Sequence, residues 1–119
     1  MARVDVTTQQ VTRDGLVPVL TEPTADGDAV DCGQVALYVT NGSVSSINVT
    51  VAATAAQDGL DVEDLVVAVA AGATALIGPL PARTFGQPAG AVESGGDDQG
   101  RAYVDYSAQT DVDRAVVAL

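Results

Sequence analysis

Three groups of carboxylates are the places where this chain could do chemistry. Asp26, Asp28 and Asp31 form a D-x-D-x-x-D array; Asp58, Asp61, Glu63 and Asp64 form a second group, and Asp97 and Asp98 a third. Paired carboxylates can hydrolyse glycosides. That chemistry also needs a sugar cleft walled with aromatic rings, and the only aromatics here are Tyr38, Phe85, Tyr103 and Tyr106. Oxygen clusters can hold Ca²⁺, but the D-x-D-x-x-D spacing lacks the third acid, the glycine and the distal glutamate of an EF-hand loop. With no histidine in the chain, the Ser-His-Asp triad, the imidazole base and most zinc sites are excluded. Cys32, the single cysteine, can form no internal disulfide and has no imidazole to activate it; it reads as a small half-buried residue at a strand edge. No nucleophile elbow, Walker loop or dinucleotide turn is present. The expectation is a protein that is not an enzyme and carries no cofactor or metal, its acids forming a solvated face.

Two N-x-S/T triplets offer a modification chemistry instead. They are Asn41-Gly42-Ser43 and Asn48-Val49-Thr50, within "NGSVSSINVTVAAT". Asn41 and Asn48 are candidate glycosylation sites. Asn-Gly is also ordinary turn chemistry, and an Asn–Thr pair on an open sheet face is unremarkable. The pattern places Asn41 in a turn and Asn48 on an outward face, both accessible.

The elements that must position these residues are strands. "QVALYVT" alternates cleanly, with Val35, Leu37 and Val39 on one face and Gln34, Ala36, Tyr38 and Thr40 on the other. After the Asn-Gly turn, Ile47, Val49 and Val51 repeat the pattern. "VDVTTQQV" opens the chain as a strand. Residues 16–22 read as an edge or bulged strand because of Pro18. "DGLDVED" reads as a turn, and "LVVAVA", apolar on both faces, as a central strand. "AGATALIGPL" follows as another strand. A buried helix over residues 65–80 is the alternative, opposed by Gly72, Gly78 and the run of valines. Residues 89–100 form a long Gly- and Asp-rich loop, the expected mobile element. "RAYVDYSA" and "RAVVAL" close the chain. About eight short strands with turns roughly every ten residues predict an all-β protein, an antiparallel β-sandwich of jelly-roll or immunoglobulin-like type. Residues 1–119 form a single domain, with residues 1–10 as an N-terminal contact arm.

Charge sets the surroundings. Sixteen acids face five basic residues, for a net charge of −11. Thirteen of the acids are Asp, and every basic residue is Arg. An Asp-rich surface without lysine suits molar salt, where repulsion between carboxylates is screened. This points to a halophilic source, the alternative being a high-GC bacterial genome, which also replaces Lys with Arg and enriches Ala, Gly and Val. The same balance opposes direct contact with nucleic acid, which needs a basic patch. "MARVDVTTQQ" has no apolar core of a secretion signal. The least polar run, at 16 residues, is too short to span a bilayer, so no membrane partner is expected.

Four blocks resemble a family of small virion proteins of tailed viruses that infect actinobacteria and haloarchaea. "VTRDGLVPVLTEPTADGDAV" is similar to that family's opening and its Asp-Gly turn. "LYVTNGSVSSINVTVA" is similar to its strand, Asn-Gly turn and return strand. "DGLDVEDLVVAVAAGATALIGPLPARTFGQP" and "AYVDYSAQTDVDRAVVAL" are similar to its central and closing segments. Together the blocks span residues 11–119. The loop "AGAVESGGDDQG" departs from the pattern, being longer and more acidic, and basic residues are fewer.

The resemblance implies a virion structural protein at the capsid surface. It would decorate the shell or form turrets as a homo-oligomer, its partners being the major capsid protein or other virion proteins. Pro79, Pro81 and Phe85, in the stiff segment "GPLPARTFGQP", are candidate partner contacts, although a lone Phe in a small sandwich is more often core. A head–tail connector or tail component is the first alternative. A carbohydrate-binding surface domain is the second, opposed by the lack of Trp. A cellular surface-layer domain is the third.

Overall fold

The structure is a computed structural model and describes residues 2–57 and 59–119. Asp58 of the second acidic group and Met1 of the expected arm lie outside the described residues. Strands make up 43% of the chain and helix 3%, so the all-β class holds. The strands are β1 (Val4–Asp5), β2 (Thr8–Gln10), β3 (Asp28–Asp31), β4 (Val35–Asn41), β5 (Ile47–Val51), β6 (Ala56–Gln57), β7 (Leu60–Asp61), β8 (Leu65–Val69), β9 (Thr74–Ile77), β10 (Arg101–Tyr106) and β11 (Val112–Ala118). One single-turn helix, α1 (Ala82–Phe85), precedes β10. No helix among the described residues is long and apolar enough to cross a membrane.

Two sheets pack as a sandwich. One runs β1-β3-β10-β5-β8 and the other β2-β11-β4-β9. Among the chain connections from β2 onward that link the two main sheets' strands, only β5 to β8 stays within a sheet; every other step crosses to the opposite one. This order of crossings is similar to that of a jelly roll, from which the parallel pairing of β2 with β11 departs. The alternation read in β4 and β5 is reproduced residue by residue, with Val35, Leu37 and Val39 buried and Ala36, Tyr38 and Thr40 half-buried. Val30, Leu37, Val49, Val51, Val104 and Val116 fill the space between the sheets. Each fully buried Val or Leu contributes on the order of 1.5–3 kcal/mol.

Five expectations need correction. The sheets are mixed, because β1 pairs with β3 and β2 with β11 in parallel. Residues 4–10 are thus built into both sheets and are not a free arm. The strand count is higher than eight, partly because "DGLDVED" contributes to the small β6–β7 ladder. Residues 16–22 form no continuous strand; they touch β11 through one bridge, Thr21 to Arg114, since β2 already occupies part of that edge. β8 lies at the edge of its sheet, not at the centre. Its apolar outward face is exposed at Val66, which explains why both faces read as apolar.

Two glycines fit where a side chain could not. Gly27, in the Asp-Gly turn before β3, has φ +82°, a region L-residues rarely adopt. Gly78 lies so close to the Val35 carbonyl that a Cβ would clash with backbone. This lets the chain turn after β9, and Leu80 then bridges back to Gly33 through two backbone hydrogen bonds of 2.7 and 3.2 Å.

Candidate contact face and buried polar groups

The fold splits the first and third acidic groups. Asp28 points inward from β3 and is fully buried. Arg114, inward from β11 on the opposite sheet, holds it with two hydrogen bonds, Nε to Oδ2 at 2.7 Å and Nη2 to Oδ1 at 2.9 Å. The Tyr106 hydroxyl donates to the same carboxylate at 2.6 Å. Arg114 also donates to the carbonyl and hydroxyl of Thr21. The expectation that Asp28 belongs to a solvated face is therefore wrong: it is half of an ion pair tying the two sheets together. Burial raises the Tyr106 hydroxyl pKa, and the Asp28 charge and hydrogen bond raise it further. Burial works against the Arg114 charge, but the Asp28 hydrogen bonds and charge outweigh it, and its pKa is raised. Both partners are satisfied, and Asp28 has no exposed surface.

Asp98 is likewise buried, which makes residues 89–100 an anchored loop. Its carboxylate accepts hydrogen bonds from the Tyr103 hydroxyl at 2.6 Å and from the Ser94 hydroxyl and amide at 2.5 and 3.0 Å. The loop thereby covers Tyr103 on the outer face of the sheet, where the Arg3 guanidinium stacks on the ring at 4.4 Å. Burial resists ionisation of Asp98, but hydrogen bonds from Ser94 and Tyr103 more than offset this, and its pKa is lowered. A lowered carboxyl pKa contributes stability that is present above the ordinary value, 3.8, and is lost as pH falls through the folded value. Amide exchange of residues 89–98 should therefore accelerate below about pH 4, and Asp98→Asn should abolish that pH dependence.

Among the described residues no group of three or more potential ligands could hold a metal ion. The Cys32 thiol pKa is raised, by burial first and by Asp31 next, which keeps it protonated at neutral pH.

The two sequons separate. Asn41 is fully buried. Its amide nitrogen donates to the Ser45 and Val69 carbonyls at 2.8 and 3.0 Å, and its oxygen accepts from the Ser43 amide and hydroxyl at 3.0 and 2.6 Å. The expected accessibility of Asn41 is corrected: it closes the turn after β4 and offers no free amide. Asn48 is exposed on β5 and keeps the access an acceptor needs.

The proposed contact segment divides too. Phe85 is buried, with 9% of its surface exposed, and joins the core cluster. Pro81 is half-buried at the start of α1, and Pro79 is exposed. Phe85 is therefore no contact residue on the free surface. Pro79 instead helps line a groove of about 310 Å³. The groove runs along one end of the β2-β11-β4-β9 sheet. Outward-facing Ala36, Leu76 and Val117 line it, with Val11, Gln34, Pro79 and Leu119 around them. The register brings these residues together, since Val117 lies opposite Ala36 and Leu76 opposite Tyr38 on the outward face. No charged residue lines it. Leu76 is 65% exposed and Leu119 87% exposed. Sequence reading missed this face because its residues come from four separate segments.

No family model, no curated protein and no solved structure matches the chain.

Proposed function

We propose that the protein is a structural subunit of a virus particle, seated on the capsid of a tailed virus as a decoration or turret protein. The observation that carries this reading is the apolar, charge-free groove on a chain of net charge −11. Exposed apolar surface of this kind on an otherwise strongly hydrated protein marks a place of contact. The four sequence blocks similar to small virion proteins support the viral setting. The jelly-roll-like winding is compatible with it by analogy, as the architecture recurs in capsid domains and also in lectins. Its work is contact, not catalysis: the buried carboxylates are consumed by Arg114, Tyr106, Ser94 and Tyr103. The partner is the major capsid protein, and the Asp-rich outer surface is suited to a halophilic host.

Mass spectrometry of purified particles tests the proposal through the ratio of this protein to the major shell protein. A ratio near one, or a simple fraction of it, is the expected result. A ring of on the order of a dozen copies would move it to the portal vertex. Absence from the particle would overturn the reading.

A further inference from the structure

The edges of the two sheets are not treated alike. β1 is two residues long, and its Asp5 is held by Arg101 at 2.7 Å. β2 is covered by the segment that follows it. The Gln9 side chain exchanges two hydrogen bonds of 2.9 Å with the Val19 backbone, and Thr21 bridges to Arg114. Shortness, charge and covering loops are the usual protections of an edge strand. At the opposite edges β8 and β9 pack beside each other. Residues 65–82 carry no charged side chain, and β8 has no proline.

The free backbone groups of β8 follow from its neighbour. β5 bonds to β10 through its even residues: the Ala52 amide donates to the Tyr103 carbonyl at 3.0 Å, and the Ser107 amide to the Asn48 carbonyl at 2.9 Å. Successive residues of a strand point their backbone groups to opposite sides. Ile47, Val49 and Val51 therefore bond to Val69, Val67 and Leu65 of β8. The N–H and C=O groups of Val66 and Ala68 are left pointing out of the sheet edge, and no turn or loop bond among the described residues uses them. Val66 is 56% exposed, and Ala68 is exposed. β9 is shorter, at four residues, and ends against Gly78 and Pro79. The other exposed apolar residues lie on no open edge. Val92 adjoins Glu93, which is tied to Arg3 at 2.9 Å, and Val44 stands in a turn among serines.

We propose that β8 pairs antiparallel with β8 of a second copy about a two-fold axis, Val66 lying opposite the partner's Ala68. The strand itself selects this occupant. In that register every free N–H and C=O of Val66 and Ala68 on both copies is bonded, because a hydrogen-bonded antiparallel pair exchanges both of its bonds. Bulky Val66 meets small Ala68 on the outer face. Asp64 and Glu63 fall opposite the partner's Ala70 and Ala71, so the acids at one end of the strand do not face the partner's acids, which would be destabilising. A two-fold contact uses one patch on each copy and closes at the dimer. The net charge of −11 opposes association at low salt. Molar salt shortens the Debye length to about 3 Å and screens that repulsion. The pairing is independent of the capsid reading.

The test is the solution mass of the purified protein by light scattering, in low and in molar NaCl. The wild-type chain should be monomeric in low salt and dimeric in molar salt. Val66→Pro removes the outward N–H and spares the bonds to β5, which use residues 65, 67 and 69; proline is tolerated at such an edge position. This variant should be monomeric in both salts, with unchanged circular dichroism. A second measurement reads the register without it. In a Cys32→Ser background, Val66→Cys and Ala68→Cys mixed in low salt and brought to molar salt should oxidise to a covalent dimer. Either variant alone should not, because identical positions lie two residues out of register, beyond the limit of about 7 Å between Cα atoms for a disulfide. A wild-type monomer in molar salt would overturn the proposal and leave the edge to a strand of another protein. A dimeric Val66→Pro, or Val66→Cys cross-linking by itself, would also overturn it. Because only purified protein is used, the result stands whether or not virus particles contain the protein.

Discussion

Replacing Arg114 with Met should lower the unfolding free energy by about 3–5 kcal/mol, because it leaves a carboxylate buried without its counter-charge. Asp28 has no exposed surface, so water cannot take over the two hydrogen bonds that Arg114 supplies. The Tyr106 hydroxyl would remain as a donor, but one neutral donor does not offset a buried charge. A typical domain has only about 5–15 kcal/mol in hand, so the loss is a large part of the total. Arg114→Lys should rescue little, since an ammonium cannot donate two parallel bonds at the observed geometry. Replacing both partners, as in Asp28→Leu with Arg114→Met, should recover most of the loss, because two apolar groups of similar volume need no desolvation. Denaturant unfolding of the two single variants and the double variant forms the cycle that measures this coupling. Additive losses in the double variant would show that the two residues act separately. Tyr106 adds a pH signature. Its raised pKa means that its contribution is fully present below the ordinary value of 10.0 and is lost as pH rises above it.

Phe85→Ala should cost about 3–5 kcal/mol, the range for deleting a buried aromatic side chain. The reason lies in how α1 is set. Pro81, at φ −64°, starts the turn, and the Phe85 amide donates to the Pro81 carbonyl at 3.0 Å. Thr54 pins the far end, donating from its hydroxyl to Gly86 at 2.6 Å and from its amide to Thr84 at 2.8 Å. The ring is thereby turned into the core and closes one end of the sandwich. Thermal unfolding of the purified variant checks the loss. If Phe85 were a partner contact, the variant would keep wild-type stability and lose only assembly. Leu76→Asp is expected to do that.

Much of the fold was legible from alternation. The patterns at Val35, Leu37, Val39 and at Ile47, Val49, Val51 name their inward faces correctly, because each strand has one dry side and one wet side. β8 misled, because an edge strand with an exposed valine has the same pattern as a buried one. Residues 16–22 misled differently, since their place beside β11 is partly taken by β2. The buried pair was invisible. Asp28 sits in an acidic, turn-rich stretch where its neighbours Asp26 and Asp31 remain at least partly exposed, and its partner lies 86 residues away. Local pattern carries no information about such a pairing. Asn41 failed for the same reason, since the Val69 carbonyl that fills its amide is 28 residues distant. The groove was illegible because no segment of it is apolar enough to stand out alone.

The strand order also governs when the protein can fold during its synthesis. β10 joins β3 to β5 in one sheet, and β11 joins β2 to β4 in the other. Until residues 101–118 have been made, the chain can assemble only fragments: β1 on β3, β5 on β8, β4 on β9, with β2 unpaired. A nascent chain on the ribosome therefore has no stable intermediate domain to dock. Both sheets close together once β10 and β11 are available, so the two halves of the sandwich form in one step and not strand by strand.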